Sequence, residues 1–189
     1  LEKLIDRPRH IEIQLFGFGD GKAVHYFERE CSIQRRFQKI VEESPAPGLD
    51  PEIRDAMADA SVALAKQENY RGAGTIEFIM APDGKFYFLE MNTRIQVEHP
   101  ATEMITQTDL VGLQLRLARG DDLSAITQDS IEASGHAIEC RIYAENPAKN
   151  FLPSPGPLDI FEPPAESANI RVDTGLRQGD QVTYFYDPM

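Results

Sequence analysis

The sequence predicts an α+β fold, in which antiparallel strands and packed helices are followed by the start of a second, β-rich unit. Two pairs of alternating segments flank turn residues, at Gly17–Gly21 and at Ala81–Lys85, as is typical of β-hairpins. Between the hairpins, Asp50–Tyr70 carries apolar residues at helical spacing. After Asn146 the chain is rich in proline, as expected for loops that connect short strands.

The composition excludes several classes of protein. With 41% hydrophobic residues, the 189-residue chain can bury the core of one large domain or slightly more. A net charge of −12 argues against nucleic acid and against anionic membrane surfaces as partners. No apolar run reaches the roughly 18 residues of a membrane-spanning helix, and no signal peptide is visible. The two cysteines are expected to be reduced thiols, so we expect a cytoplasmic protein, or one of the mitochondrial matrix in a eukaryote.

The first predicted hairpin pairs Arg9–Phe16 with Lys22–Arg29. In Arg9–Phe16, polar side chains at even positions alternate with aliphatic ones at odd positions, which predicts a half-buried strand. The glycine-rich turn is not followed by a helix, so it is not expected to bind phosphate. The basic segment Glu30–Lys39 comes next. It is either a solvated strand or a wall that faces an anion, since arginine and lysine suit phosphate and carbonate.

Two helices are predicted in the first two-thirds of the chain. Asp50 can cap the helix Asp50–Tyr70, and Pro51 suits its first position. This helix carries no residues that suggest chemistry. A second helix is predicted over Thr102–Gly120, where leucines recur at helical spacing and the glycine is expected to end the helix.

The polar connector Asp121–Ser134 predicts a domain boundary. We expect one domain over residues 1–132 and a second over residues 133–189. The second domain is expected to begin with a strand over Gly135–Glu145. A long proline-rich loop over Asn146–Gly156 follows this strand. Further short strands are predicted at Leu158–Phe161 and Ile170–Asp173.

The segment Phe86–Pro100 carries an unusual row of polar side chains when it is treated as an extended strand, in which alternate residues share a face. The opposite face is mostly apolar, so a half-buried strand with a solvated face is one interpretation. Both charge signs occur at fixed spacing in the polar row, which favours a functional face. The row consists of Glu90, Asn92, Arg94, Gln96 and Glu98.

The strand before this segment carries another carboxylate, Glu77. If the hairpin loop has four residues, Ala81–Gly84, Glu77 and Glu90 lie diagonally on one face, about 7–8 Å apart at Cβ, with Asn92 beyond. Carboxylate and amide oxygens suit Mg²⁺ or Mn²⁺, which keeps open positions for phosphates. The pattern therefore predicts a metal–nucleotide site on the hairpin. A loop of three or five residues would put Glu77 on the apolar face and remove this site.

The block Glu90–Pro100 resembles the signature of biotin carboxylases, the ATP-grasp component of biotin-dependent carboxylases. The part from Arg94 to Glu98 is typical of the carboxylase branch of ATP-grasp enzymes. Together the similar segments span essentially the whole chain, and they imply the second ATP-grasp subdomain followed by the start of the biotin carboxylase C-terminal domain. Five further segments are similar to that family in order and spacing: Pro8–Glu12, Glu30–Lys39, Tyr70–Phe78, Gly135–Arg141 and Phe151–Gly156.

The resemblance implies a ligase that uses ATP, Mg²⁺ or Mn²⁺, and biotin on a carrier. ATP phosphorylates bicarbonate to carboxyphosphate, and the ureido nitrogen of biotin is then carboxylated. Glu77, Glu90 and Asn92 would hold the metal, in agreement with the argument from the hairpin. Phe37 departs from the family, which has a polar residue there near the nucleotide. The residues implied in ATP binding are Glu2, Lys3, Ile5, His10, Gln34, Glu77, Ile79 and Glu90.

Bicarbonate and biotin are placed by the resemblance near the second half of the polar row. Glu98 would be the general base that deprotonates bicarbonate, and Arg94 would also be catalytic. Arg141 would stabilise the enolate-like charge on biotin, since a guanidinium aimed at developing charge in a dry site can contribute several kcal/mol. The residues implied in bicarbonate binding are Lys39, Arg94, Gln96 and the backbone of Val97.

The implied enzyme is larger than this chain. The family's N-terminal domain, its glycine-rich lid and its first ATP-grasp subdomain have no counterpart here, so the chain alone is not expected to complete the reaction. It begins at Leu1 without a methionine, and both ends look like cuts inside a longer protein. The implied partners are a biotin carboxyl carrier domain, a carboxyltransferase, and further copies in a homo-oligomer.

Other functions remain open at this stage. One is another ATP-grasp ligase that uses bicarbonate, similar to carbamoyl-phosphate synthetase, from which Arg94, Gln96, Glu98 and Arg141 together would distinguish a biotin carboxylase. Another is a non-catalytic ATP-binding module, which would have no reason to keep the polar row. A two-carboxylate glycosidase is disfavoured, because the sequence has no tryptophan for sugar stacking. The final acyl acceptor is not specified by this sequence.

Overall fold

The computed structural model describes residues 4–183 and 185, and the boundary between two compact units falls after Cys140. Six strands of the first unit pair antiparallel in the order β5-β4-β1-β2-β3-β6, and the helices pack against this sheet. The predicted α+β class is therefore confirmed. In chain order the elements are β1 (Arg9–Phe18), β2 (Ala23–Arg35), β3 (Gln38–Ser44), α1 (Pro51–Gln67), β4 (Arg71–Met80), β5 (Phe86–Asn92), α2 (His99–Thr106), α3 (Leu110–Arg119), a 3₁₀-helix (Gln128–Ser130) and β6 (Ala137–Cys140).

Helix α1 covers one face of the sheet. The odd-numbered aliphatic residues of β1, including Ile11 and Ile13, are fully buried there with Met57 of α1 and Phe78 of β4. Asp50 caps the helix as predicted, because its Oδ1 accepts a hydrogen bond of 2.8 Å from the N–H of Glu52. The alternation of β1 thus sets which face of the sheet receives the helix.

The opposite face of the same strands buries polar side chains, although the alternation alone predicted a solvated face. Glu12 and Gln14 of β1 are fully buried, and Glu77 of β4 is only 4% exposed. Helix α3 packs further along this face, where Leu110 contacts the second apolar cluster around Phe16. Buried polar groups need partners, so this face is the place to look for function.

Several predicted element bounds were wrong. The helix expected over Thr102–Gly120 is two helices, α2 and α3, because the chain breaks at Gln107, whose φ is 52°. Strand β2 extends through most of the basic segment Glu30–Lys39, and the last two residues of that segment begin β3. Strand β5 ends at Asn92, and residues 93–98 form a turn that leads into α2, so the polar row does not continue as one strand.

The hairpin β4–β5 puts Glu77 and Glu90 on one face as predicted, but its register differs and the two residues are directly opposed instead of diagonal. Its loop has five residues, because Met80 pairs with Phe86. Five residues alone would have separated the two carboxylates, but a β-bulge at Leu89 shifts the pairing back. Glu77 consequently lies directly opposite Glu90, and both are on one face of the sheet.

Among the described residues of the second unit, after Cys140, the strand pairings are short. Strand β7 (Glu145–Asn146) pairs with β8 (Leu152–Pro153), and β9 (Gly156–Pro157) pairs with β10 (Gln181–Val182). A 3₁₀-helix spans Pro147–Lys149. The strand expected over Gly135–Glu145 is limited to β6, and those expected over Leu158–Phe161 and Ile170–Asp173 do not form, although Ile170 makes an isolated bridge to Ser167. The domain division after residue 132 stays a prediction. Within the described ranges, no helix has the length and apolar character needed to cross a membrane.

Met57 anchors α1 to the sheet and offers a test of this packing. We expect Met57→Ala to lower the free energy of unfolding by about 2–5 kcal/mol, because the buried cavity is only partly filled by relaxation. Met57→Leu conserves the volume and should cost less than about 1.5 kcal/mol. Urea denaturation of both variants measures the difference, and equal losses would contradict the packing described.

Candidate active site

The site is built around the ammonium group of Lys39, which lies between three buried carboxylates. Its Nζ donates to Glu12 Oε2 at 2.6 Å, to Glu77 Oε1 at 2.8 Å and to Glu98 Oε1 at 2.6 Å. An ammonium group has three N–H donors, so each one is matched to a carboxylate. Lys39 thereby joins strands β1, β3 and β4 to the start of α2.

Arg29 forms a second buried cation behind this group. Its Nε donates to Glu12 Oε1 at 2.6 Å, and Nη1 donates to Gln14 Oε1 at 2.7 Å and to Thr102 Oγ1 at 2.8 Å. Glu12 is therefore shared between two cations, one on each oxygen. Arg29 and Glu12 are directly opposed in the β1–β2 pairing, which explains why they meet.

The electrostatics keep these groups charged. Burial by itself would raise the pKa of Glu77, but hydrogen bonds from His10 and Lys39 outweigh burial and hold this pKa at about 2. Glu98 behaves similarly, since burial is outweighed by the charges of Arg29 and Lys39 and its pKa is lowered. Burial opposes the charge of Lys39, yet attraction to Glu12 raises its pKa above the ordinary value. Ion pairing thus dominates over desolvation at these sites.

A chain of side chains leads from this cluster toward the residues expected to bind the nucleotide. Gln34 Nε2 donates to the Cys31 carbonyl at 2.7 Å and lies 2.9 Å from His10 Nδ1. Because a carbonyl only accepts, the amide nitrogen of Gln34 is fixed, and His10 Nδ1 must accept from it. The proton of His10 is then on Nε2, which faces Glu77 Oε2 at 2.8 Å.

The two hairpin carboxylates are joined by an amide. Asn92 Nδ2 donates to Glu77 Oε1 at 3.0 Å and to Glu90 Oε1 at 3.4 Å. Glu90 is exposed, whereas Glu77 is buried, so one side of this pair is open to a ligand. The oxygen donors fit a hard cation such as Mg²⁺. In this arrangement Asn92 contributes its amide nitrogen, and a ligand role would require its oxygen to turn toward the metal.

Gln96 holds the turn over residues 93–98 through its side chain and its carbonyl. Gln96 Nε2 donates to Glu77 Oε1 at 2.9 Å, and the Gln96 carbonyl accepts from His99 Nδ1 at 2.7 Å. Arg94 is exposed, and among residues 4–183 and 185 its guanidinium donates to the Ile95 carbonyl alone, at 3.2 Å. In the described part of the chain the Val97 N–H has no hydrogen-bond partner. Free donors from Arg94 and Val97 are what an anion would require at this turn.

The structure brings some of the sequence-predicted residues together and leaves others apart. His10, Gln34, Lys39, Glu77, Gln96 and Glu98 form the connected group, with Asn92 and Glu90 at its edge. Ile79 is half-buried opposite His10, and Ile5 is half-buried near the start of the chain. Arg141 belongs to the second unit, Phe37 is 98% exposed, and Glu2 and Lys3 lie outside the described residues.

Sequence reasoning missed Glu12 and Arg29 as members of the site. Both lie in the first predicted hairpin, where the alternation indicates strands but no chemistry. A signal was present: Glu12 shares a face with His10, which the resemblance already placed near the nucleotide. The alternation of polar residues could not show that the face is covered, since that depends on α2.

Comparisons with known proteins identify the families that the chain resembles. Residues 1–126 match the family described as the carbamoyl-phosphate synthase L chain ATP-binding domain, and residues 139–189 match the biotin carboxylase C-terminal domain. Over its full length the chain is 56% identical to the methylcrotonoyl-CoA carboxylase subunit alpha of Rattus norvegicus and 52% identical to biotin carboxylase 1 of Bacillus subtilis. It spans only 26% and 42% of those two proteins.

Solved structures give the same result. A biotin carboxylase from Campylobacter jejuni in complex with β,γ-ATP has a TM-score of 0.93 and 45% identity, and the match covers all of this chain and 41% of the other. The biotin carboxylase domain of Hydrogenobacter thermophilus 2-oxoglutarate carboxylase, a dimer with MgADP and bicarbonate, has a TM-score of 0.94 and 47% identity. That match covers 99% of this chain and 41% of the other.

The lowered pKa of Glu77 predicts how acid destabilises the protein. Its pKa of about 2 in the fold lies below the ordinary value of 4.5, so its ionised form stabilises the fold fully above pH 4.5 and progressively less as the pH falls toward 2. The shift corresponds to about 3 kcal/mol. We expect Glu77→Gln to reduce the loss of thermal stability between these pH values. The exposed Glu132→Gln is the control and should keep the native slope; identical slopes for all three proteins would contradict the assignment.

Proposed function

The chain belongs to the biotin carboxylase family, and from this premise we propose that it takes part in the ATP-dependent carboxylation of biotin. In this ligase reaction ATP phosphorylates bicarbonate to carboxyphosphate, which supplies the carboxyl group for the ureido nitrogen of biotin. The observation that carries the proposal is the ammonium of Lys39, which contacts both Glu77 on the nucleotide side and Glu98 on the bicarbonate side. The chain spans less than half of its curated relatives, so the full reaction is proposed for the full-length protein.

On the nucleotide side, Glu77 and Glu90 are proposed to hold Mg²⁺ or Mn²⁺, with Asn92 beside them. The bound ion would neutralise phosphate charge. His10 and Gln34 are proposed to bind the nucleotide together with Ile5 and Ile79, and the fixed tautomer of His10 orients Glu77. Glu2 and Lys3 are proposed for the same role on the resemblance alone.

On the bicarbonate side, Arg94, Lys39, Gln96 and the Val97 N–H are proposed as donors to the anion. Glu98 is proposed as the general base, since its lowered pKa keeps it ionised at neutral pH and able to accept a proton. Arg141 is proposed to stabilise the negative charge on biotin.

The proposed partners are a biotin carboxyl carrier domain and a carboxyltransferase. Support comes from the relatives, which are named as subunits or domains of methylcrotonoyl-CoA, propionyl-CoA, pyruvate and urea carboxylases. A homo-oligomer is proposed because the Hydrogenobacter domain is described as a dimer. We propose the cytoplasm as the compartment, or the mitochondrial matrix if the protein is eukaryotic. The second option is supported by relatives that are named mitochondrial.

A second candidate is a bicarbonate-using ligase of the carbamoyl-phosphate synthase type. It is favoured by the description of the family that matches residues 1–126. The match of residues 139–189 to the biotin carboxylase C-terminal domain favours the first proposal over it. A dependence on biotin separates the two.

The proposal is tested by ADP release from the full-length protein with Mg²⁺ and ATP. We expect release to depend on bicarbonate and to increase when biotin is added. Glu98→Gln should abolish the bicarbonate-dependent part while nucleotide binding persists, because the amide cannot accept the proton of bicarbonate. Release that is indifferent to bicarbonate and biotin would refute the proposed reaction, and loss of nucleotide binding in the variant would make Glu98 a structural residue.

Arg141 can be tested separately from Glu98. We expect Arg141→Ala to lower carboxylation of biotin by about 100-fold or more, since it removes one donor to developing charge, and to leave bicarbonate-dependent ADP release within about three-fold of native. Arg177→Ala, an exposed arginine of the same unit, is the control and should change neither rate. Equal loss of the two activities in Arg141→Ala would exclude the biotin role.

A further inference from the structure

Two of the donors proposed for bicarbonate are already engaged by a single atom. Glu77 Oε1 accepts from Lys39 Nζ at 2.8 Å and from Gln96 Nε2 at 2.9 Å, and Asn92 Nδ2 is a third donor at 3.0 Å. The other two N–H bonds of Lys39 point to Glu12 and Glu98. In this state neither Lys39 nor Gln96 has its Glu77-directed donor available for an anion.

We infer that Glu77 couples the two substrates: when Glu77 becomes a metal ligand for the nucleotide, it releases Lys39 and Gln96, and bicarbonate takes the released donors. The inference rests on the proposed function and adds a switch to it. Glu77 is the only one of the three carboxylates around Lys39 that is also proposed to bind the metal. It therefore belongs to both sites at once.

The geometry explains why Glu77, and not another carboxylate, gives up its donors. The other oxygen of the fully buried Glu12 is held by the guanidinium of Arg29 at 2.6 Å, whereas the other oxygen of Glu77 faces the imidazole of His10 at 2.8 Å. Glu98 is the residue that must face bicarbonate as its base. Glu77 lies directly opposite the exposed Glu90, so a cation that enters from the open side reaches it first. If Glu77 held a cation, the carboxylate would have fewer lone pairs left for the N–H groups of Lys39 and Gln96.

Charge acts in the same direction as the hydrogen bonds. Without a metal, an incoming bicarbonate meets three buried carboxylates that are paired with the cations of Lys39 and Arg29. This field disfavours an anion, and the donors that are bonded to Glu77 cannot offset it by bonding to bicarbonate. A measurement must therefore separate the release of donors from the simple addition of positive charge.

The coupling is measured as the affinity of the full-length protein for bicarbonate, by calorimetry without turnover. We expect Mg²⁺ together with a β,γ-nonhydrolysable ATP analogue to tighten bicarbonate binding by about ten-fold, within the usual range of coupling between two sites. By reciprocity, bicarbonate should tighten binding of the metal–analogue complex by the same factor. Equal bicarbonate affinity with and without the complex would overturn the inference.

Glu77→Gln and Glu90→Gln form a charge-matched pair that isolates the donor release. Each variant removes one negative charge and one proposed metal ligand, but only Glu77 accepts from Lys39 and Gln96. A neutral amide oxygen holds an ammonium less strongly than a carboxylate does. Without metal or nucleotide, we expect Glu77→Gln to bind bicarbonate about five-fold more tightly than native, whereas Glu90→Gln should gain less than about two-fold, because its charge is exposed and screened by solvent.

The outcomes separate this inference from the proposed function. An equal gain in both variants would mean that charge alone acts, and no gain in Glu77→Gln would mean that its donors are not limiting; either result overturns the switch but leaves the reaction in place. Failure of native protein to bind bicarbonate under every condition would overturn the proposed function and the switch together. The switch is supported if bicarbonate affinity rises more in Glu77→Gln than in Glu90→Gln and if the native protein shows the coupling.

Discussion

The guanidinium of Arg29 lies fully buried between β1 and α2, and the geometry of the site depends on it. A buried charge is costly unless it is paired and hydrogen-bonded, so the partners of Arg29 have to stay in place for the fold to form. Through Glu12 it fixes a carboxylate whose second oxygen receives Lys39. Through Thr102 it fixes the first turns of α2, and the residue at the start of that helix is Glu98.

This arrangement is not what stability alone would favour. Buried ion pairs are often no more stabilising than apolar side chains of similar volume, because desolvation offsets their attraction. The first unit already has an apolar core under α1 and another beside α3. Five ionised groups buried on the sheet face opposite α1 therefore point to chemistry, and their hydrogen bonds make that chemistry preorganised. The cluster is made of Glu12, Arg29, Lys39, Glu77 and Glu98.

The sequence predicted the elements better than the contacts between them. Alternation gave the faces of β1, and the cap at Asp50 gave the start of α1, since both signals are local. Glu77 and Glu90 lie on one face as predicted, although the predicted loop length and diagonal placement were wrong, because the bulge at Leu89 compensates for the fifth loop residue. No local pattern marks such a bulge, so a register counted from the turn was unreliable here.

The prediction that the polar row forms one strand was wrong for a related reason. A period of two describes a strand, but short turns also place alternate residues on different sides, and nothing in Thr93–Glu98 marks the end of β5 at Asn92. The resemblance to a family implied Gln96 and Glu98 as site residues, although it did not indicate that they lie in a turn. Arg29 was found by neither route, since its role comes from the covering of one face by α2.

The hydrogen bond between Lys39 and Glu98 has two opposing effects on the proposed base. It helps to keep Glu98 ionised and in place, and for the same reason it lowers the affinity of Glu98 for a proton. A carboxylate with a lowered pKa is ready to accept a proton but accepts it weakly. If Lys39 turns toward bicarbonate, Glu98 loses part of the field that weakens it, while the anion moves next to it. Because Lys39 has only three N–H donors, a donor that turns to bicarbonate is lost to a carboxylate. The arrival of bicarbonate would then strengthen Glu98 as the base that acts on it.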